Sequence, residues 1–213
     1  MKKLLISAVL AGSLFAWGGM GMNKGNCNTN FTNILNQYPT QTLSSAEKQA
    51  LTHMAEEEKL ARDVYITLGK KWGFRVFLNI QKAEQQHMNM VDMLLKRYGM
   101  RINNLLVGEF HDKKVQKLYN NLVAMGSKSQ IDALKVGATI EDLDIYDLEK
   151  YMAEADNKDM LFVFKNLTKG SRNHMRAFIR ILKRYGGSYT PQYISQADFD
   201  NIINSNIERG MIR

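Results

Sequence analysis

Phe77-Leu78-Asn79-Ile80-Gln81-Lys82-Ala83-Glu84-Gln85-Gln86-His87-Met88-Asn89-Met90-Val91 is the stretch on which the fold turns. Phe77, Ile80, Glu84, His87 and Val91, continued by Leu94 and Tyr98, recur at intervals of three or four. That spacing puts all seven on one face of an α-helix. The face is apolar except for a carboxylate and an imidazole one turn apart. Burying either without a partner is costly, so such groups pair, hydrogen-bond or hold a metal.

Three further stripes of the same kind flank this one. The first helix is expected from Ser44 or Ser45, a serine cap with Glu47 in the first turn, to about Gly69. Its stripe is Leu51, Met54, Glu58, Ala61, Tyr65 and Leu68. The central helix ends at Tyr98, where Gly99 stops it. Residues 99–127 form a long connection with one short helix, Lys113 to Met125. The third helix is expected from Ser129 to Glu154, bent near Gly137, with Leu134, Ala138, Glu141, Ile145, Leu148 and Met152 in its stripe. After a turn at Asp156-Asn157, the fourth runs to Tyr185 with Met160, Phe164, Leu167, Ser171, His174 and Phe178 in line. Short turns join helices one to two and three to four, and the long link joins two to three. The expected architecture is therefore all-α: a ferritin-like four-helix bundle with one long crossover between helices 2 and 3. Two prolines and thirteen methionines suit long uninterrupted helices with an adaptable core.

The ends of the chain read differently. Met1-Lys2-Lys3 followed by the apolar run Leu4 to Trp17 has the form of a secretory signal peptide, too short for a membrane span. Cleavage is expected after Gly18, which makes the mature protein periplasmic or secreted. No lipobox precedes Cys27. Residues 19–43, rich in Gly, Asn and Thr, read as a flexible linker, residues 44–186 as the bundle, and 187–213 as a C-terminal tail with a short helix. A single cysteine excludes an internal disulfide and a Cys-x-x-Cys metal ribbon. The formal charge of +8 is dispersed, with two of the positive residues in the leader. Nucleic acid is not an expected partner, nor is a membrane once the leader is gone.

Glu58, Glu84, His87, Glu141 and His174 fall on the stripes, and Asp144 borders the third one turn beyond Glu141. Each helix contributes at least one ligand-type residue near its middle. Four carboxylates and two imidazoles match two divalent cations, and a set rich in carboxylate and free of thiolate favours iron or manganese over structural zinc. The competing reading of each residue is a buried ion pair, a solvated acid in the run Glu56-Glu57-Glu58, or, for Asp144, an exposed acid. His53 and His111 fall off the stripes and read as surface histidines. Trp72 and Phe74 are expected to pack the first turn.

Glu58-x-x-Ala61-x-x-x-Tyr65, Glu84-x-x-His87 and Glu141-x-x-Asp144 resemble the ligand-bearing helices of rubrerythrin-type ferritin-like proteins. More closely, the stretch from Leu51 onward resembles an uncharacterised prokaryotic ferritin-like family, domain of unknown function 2202. Glu56-Glu57-Glu58-Lys59-Leu60-Ala61-Arg62-Asp63-Val64-Tyr65, Gly137-Ala138-Thr139-Ile140-Glu141 and Gly170-Ser171-Arg172-Asn173-His174 carry the resemblance. It implies a ferritin-like fold and a dimetal centre, and no assigned reaction; the ligand set makes two iron ions the expected occupants, with manganese or zinc as alternatives. The chain departs from the wider pattern at Ser171, where ferritin-like enzymes carry a glutamate. Either Asp144 supplies that carboxylate, or one metal keeps an open position, or only one metal binds.

The expected ligands are thus Glu58, Glu84, His87, Glu141, Asp144 and His174, with Glu84 and Glu141 as bridging candidates. Tyr65, Ser171 and Asn173 are expected to support them. The expected activity is redox chemistry with dioxygen or hydrogen peroxide, of ferroxidase or peroxidase type. Peroxide reduction requires an external electron donor, because none is fused. The alternative is a non-catalytic metal-binding or metal-stabilised module. A homodimer is compatible with the sequence; a cage is not expected of a chain with a polar N-terminal tether.

Overall fold

The structure, a computed structural model, describes residues 24–103 and 105–212. The leader expected at 1–18 lies outside the described residues. The described residues form seven α-helices and no strand. They are α1 (Lys24–Leu35), α2 (Ser45–Trp72), α3 (Arg75–Arg97), α4 (Lys113–Gly126), α5 (Gln130–Glu154), α6 (Lys158–Arg184) and α7 (Gln196–Asn204). The chain divides into two compact units, one ending at Ile34 and one beginning at Leu35. Apart from α1, everything described below lies in the second.

Helix α1 stands where a linker was expected. Its Asn, Thr and Gly content is poor in helix propensity, which is why composition reads it as coil. Phe31, Ile34 and Leu35, spaced three and four apart, supply the one helical signal.

The helix ends follow local chemistry. Ser44 caps α2: its Oγ accepts from the Glu47 amide at 3.1 Å, and Glu47 Oε2 accepts from the Ser44 amide at 2.9 Å, a reciprocal capping box. The other Glu47 oxygen accepts from both nitrogens of Asn157, which ties the start of α2 to the turn before α6. Gly73 closes α2 at φ 70°, a left-handed conformation that favours glycine. Trp72 Nε1 donates to the Gly126 carbonyl at 2.8 Å, and Phe74 meets Tyr185 edge-on, so both aromatic residues pack around the α2–α3 turn.

Each of α2, α3, α5 and α6 packs on two of the others: α2 on α3 and α5, and α6 on α3 and α5. Two residues separate α2 from α3 and three separate α5 from α6, so each pair is an antiparallel neighbour by connection length. Helix α4 packs on α2 and α5, and α7 on α6. Tyr65, Phe77 and Phe178 form the aromatic heart of this helical bundle, with ring centroids 5.2–5.7 Å apart and all three fully buried. Burying each such ring is worth about 1.5–3 kcal/mol. Helix α5 runs unbroken through Gly137, whose lack of a side chain admits Phe178: a Cβ there would lie 2.4 Å from its ring. No helix among the described residues is long and apolar enough to cross a membrane.

Candidate metal centre

The stripes place Glu58 on α2, Glu84 and His87 on α3, Glu141 and Asp144 on α5 and His174 on α6, and all six are buried. Glu84 is the hub. Its Oε2 lies 2.8 Å from His87 Nδ1, and its Oε1 lies 2.9 Å from His174 Nδ1. Glu58 Oε2 lies 3.1 Å from His87 Nδ1, and Glu141 Oε2 lies 3.5 Å from His174 Nδ1. The two imidazoles stack at 5.4 Å between centroids. The result is two buried triads, Glu58–Glu84–His87 and Glu84–Glu141–His174, which share one carboxylate.

Most buried acids outside the centre are satisfied by hydrogen bonds, whereas those within it are left short of partners. Glu56 accepts from the His111 and Asp112 amides, and Asp63 from Lys59, Arg62 and the Gly108 amide. Asp142 accepts from three backbone amides and Tyr189, and Asp159 from Tyr98 and the Met160 amide, with Arg97 as its ion-pair partner. Those carboxylates are structural and satisfied. By contrast Glu58 Oε1, Glu84 Oε1, Asp144 Oδ1 and His174 Nδ1 are buried with no hydrogen-bond partner. Glu84 Oε1 and His174 Nδ1 are in close contact yet misaligned for a hydrogen bond between them. Buried polar atoms left unpaired cost on the order of 1–3 kcal/mol each. Glu58 Oε2 and His87 Nδ1 share a hydrogen bond, but a carboxylate oxygen and an imidazole nitrogen in close contact without one, as in Glu84 and His174, are what a shared cation would require, and carboxylate plus imidazole is a donor set for iron, manganese or zinc.

The charges express the same need. Burial, with Glu84 nearby, raises the Glu58 carboxyl to about 7 despite the opposing pull of His87. Burial and Glu84 likewise raise Glu141 to about 7 against the pull of His174. Burial and the charges of Glu58, Glu57 and Glu141 hold Asp144 well above the usual range. Burial would raise Glu84 too, but His174 and His87 outweigh it and hold its carboxyl well below the usual range. Burial alone would lower the histidines; the flanking carboxylates prevail, raising His174 to about 10 and His87 well above its ordinary value.

The supporting residues divide. Tyr65 donates to Glu141 Oε1 at 2.5 Å. Ser171 Oγ donates to Asp144 Oδ2, so Asp144 sits beside the triads rather than within either. Asn173 is turned away from the centre. Its Nδ2 donates to the Glu208 carbonyl, and its Oδ1 accepts from the Glu208 amide and Arg176. Its position beside His174 in sequence suggested support, but one residue along a helix points about 100° elsewhere.

A match to the model for Uncharacterized protein domain (DUF2202) covers residues 47–206. The chain belongs to this family. It is 54% identical over 181 residues to Uncharacterized protein MJ0754 of Methanocaldococcus jannaschii, which covers 84% of this chain and 98% of that protein. The crystal structure of hypothetical protein MJ0754 from that archaeon superposes with a TM-score of 0.78 over 80% of this chain and 98% of the other.

Within this family member, sequence reading passed over one contributor to the centre and misplaced one histidine outside it. Gly170 faces His87: a Cβ there would lie 2.3 Å from Nε2, so only glycine leaves the ring its place while Nδ1 faces the carboxylates. Its one signal was a glycine inside a helix, which costs propensity and so demands a packing reason. His53, read as a surface histidine, is half-buried beside Glu57 and Asp147. His111 is exposed as expected, with Nε2 on the Asn103 carbonyl.

Proposed function

We propose that the chain is an exported ferritin-like four-helix bundle, with the α3–α5 connection as its crossover, that holds two iron ions. The observation that carries this reading is the Glu84 carboxylate, buried between two imidazoles with an unpartnered oxygen. Glu58 and His87 would hold one ion, Glu141 and His174 the other, and Glu84 would bridge. Asp144 completes the set if its carboxylate turns from Ser171.

When bound, two iron ions supply electrons to dioxygen or hydrogen peroxide, giving ferroxidase or peroxidase chemistry. The chain's own residues do the rest. Glu84, Glu58 and Glu141 offset three of the four positive charges of two dications, and the neighbouring Asp144 offsets the fourth. Tyr65 fixes one Glu141 oxygen so that the other stays aimed at His174. Phe77 and Phe178, packed on the Tyr65 ring, shield its bond to Glu141 from water, and loss of the protons held on His87, His174, Glu58 and Glu141 accompanies loading. Peroxide reduction would draw on an external electron donor.

Native purification followed by elemental analysis is the test, with Glu84→Ala as control. Two ions per chain, lost in the variant, together with aerobic oxidation of added ferrous ion faster than in protein-free buffer, is the expected outcome. A chain that holds zinc and leaves ferrous ion untouched would instead support a metal-stabilised structural module. That second reading draws on Asp144, which Ser171 already engages. Absence of any metal, with no change of melting temperature on adding one, would refute both.

A further inference from the structure

A second cluster of ligand-type groups lies outside the two core triads. His53 and Glu57, one turn apart on α2, meet Asp147 of α5, with one donor atom from each inside a 4.8 Å span. Glu57 is 3% exposed, yet both its carboxylate oxygens lack a hydrogen-bond partner. The His53 Nδ1 atom, 3.5 Å from Glu57 Oε2, is also unpartnered. Glu56 and Glu58, the flanking acids, each have an identified role; Glu57 has none in the fold or in the core triads.

We propose that His53, Glu57 and Asp147 form a third divalent-cation site, for a transition-metal ion of the zinc, manganese or ferrous class. One imidazole and two carboxylates give a mixed nitrogen–oxygen set whose two negative charges match a dication. The site is more open than the core pair. His53 lines a surface groove, which leaves coordination positions to water. Lys48 and Lys150 line the same groove, and Lys150 stands close enough to Asp147 to pull on its carboxyl. These cations oppose a dication and make this site weaker than the core.

The proposal stands apart from the core reading, and its test separates the two. Full-length apoprotein is titrated with zinc ion by calorimetry, alongside His53→Gln and Asp147→Asn; both replaced residues are half-buried. The expected result is a weaker binding event beyond the tight ones, weakened tenfold or more in each variant while the tight events are unchanged. If the core binds nothing, the wild type shows this event alone, still weakened by both variants, and the proposal survives. An isotherm that neither variant alters, or a wild type without the weaker event, overturns it.

Discussion

Replacing Gly170 with alanine puts two effects in opposition, and the structure says which prevails. Glycine inside a helix costs about 1 kcal/mol relative to alanine, so propensity alone predicts a more stable protein. The new Cβ, however, would lie 2.3 Å from His87 Nε2 and 2.5 Å from its Cε1, where ordinary contact begins near 3.4 Å. The ring must retreat by roughly 1 Å, several times the ~0.2 Å tolerance of a metal–ligand bond. Overpacking of this size costs about 1–3 kcal/mol. The apoprotein is therefore expected to lose up to about 2 kcal/mol after the propensity gain. Metal affinity should fall further, by at least the 10–100-fold typical of a disturbed supporting residue. Denaturant unfolding of the apoprotein gives the first number, and calorimetric titration with zinc or manganese gives the second. A variant about 1 kcal/mol more stable than wild type with undiminished metal affinity would refute the placement of His87 against α6.

Three further expectations follow from the same geometry. Tyr65→Phe strips Glu141 Oε1 of its donor; it should destabilise the apoprotein by about 1–3 kcal/mol and weaken metal binding, and an unchanged unfolding midpoint would contradict it. Ser171→Ala leaves a second Asp144 oxygen unpaired; apoprotein stability should drop by about 1–3 kcal/mol at neutral pH, whereas a more stable variant would show that Asp144 is not confined there. Stability should also depend on pH in opposite ways with and without metal. Glu58 and Glu141, raised from 4.5 to about 7, stabilise fully below 4.5 and lose that contribution as pH climbs through 7. His174, raised from 6.5 to about 10, loses its contribution only from 6.5 upward. Glu84, lowered by the two histidines, contributes above 4.5 and loses it only in strong acid. Metal binding requires these same ligands deprotonated. Between pH 5 and 8 the apoprotein melting temperature should fall while the increment from added metal grows; an increment that stays level across this range would count against proton-linked binding.

Sequence reading reached the buried hub because helical periodicity is a local code. Glu58, Glu84, His87, Glu141 and His174 interrupt apolar stripes, and a stripe that faces a core carries its polar members inward whatever the neighbouring helix is. The same code cannot show which acids find partners. Glu56 and Asp142 are buried like Glu84, but their compensation comes from the amides of residues 111–112 and 192–194, far along the chain. Nor could it show Asp147 beside His53, since both occupy half-buried positions whose company depends on how α2 and α5 pack. Gly170 was visible as an oddity within its helix, but its reason lies on α3. Asn173 misled because adjacency in sequence was taken for adjacency in space.

Those long-range bonds to Asp142 bear on how the molecule is made. The segment after Gly186 supplies three backbone amides and the Tyr189 hydroxyl to a wholly buried carboxylate, while Glu208 braces Arg172 and Arg176. A ribosome delivers these residues after the whole of α5 and α6. Until they emerge, helix α5 holds a carboxylate without its partners, so the nascent bundle must wait in an unfinished state for the segment from Tyr189 to Glu208. Any recombinant version trimmed at Gly186 would inherit that unfinished state permanently.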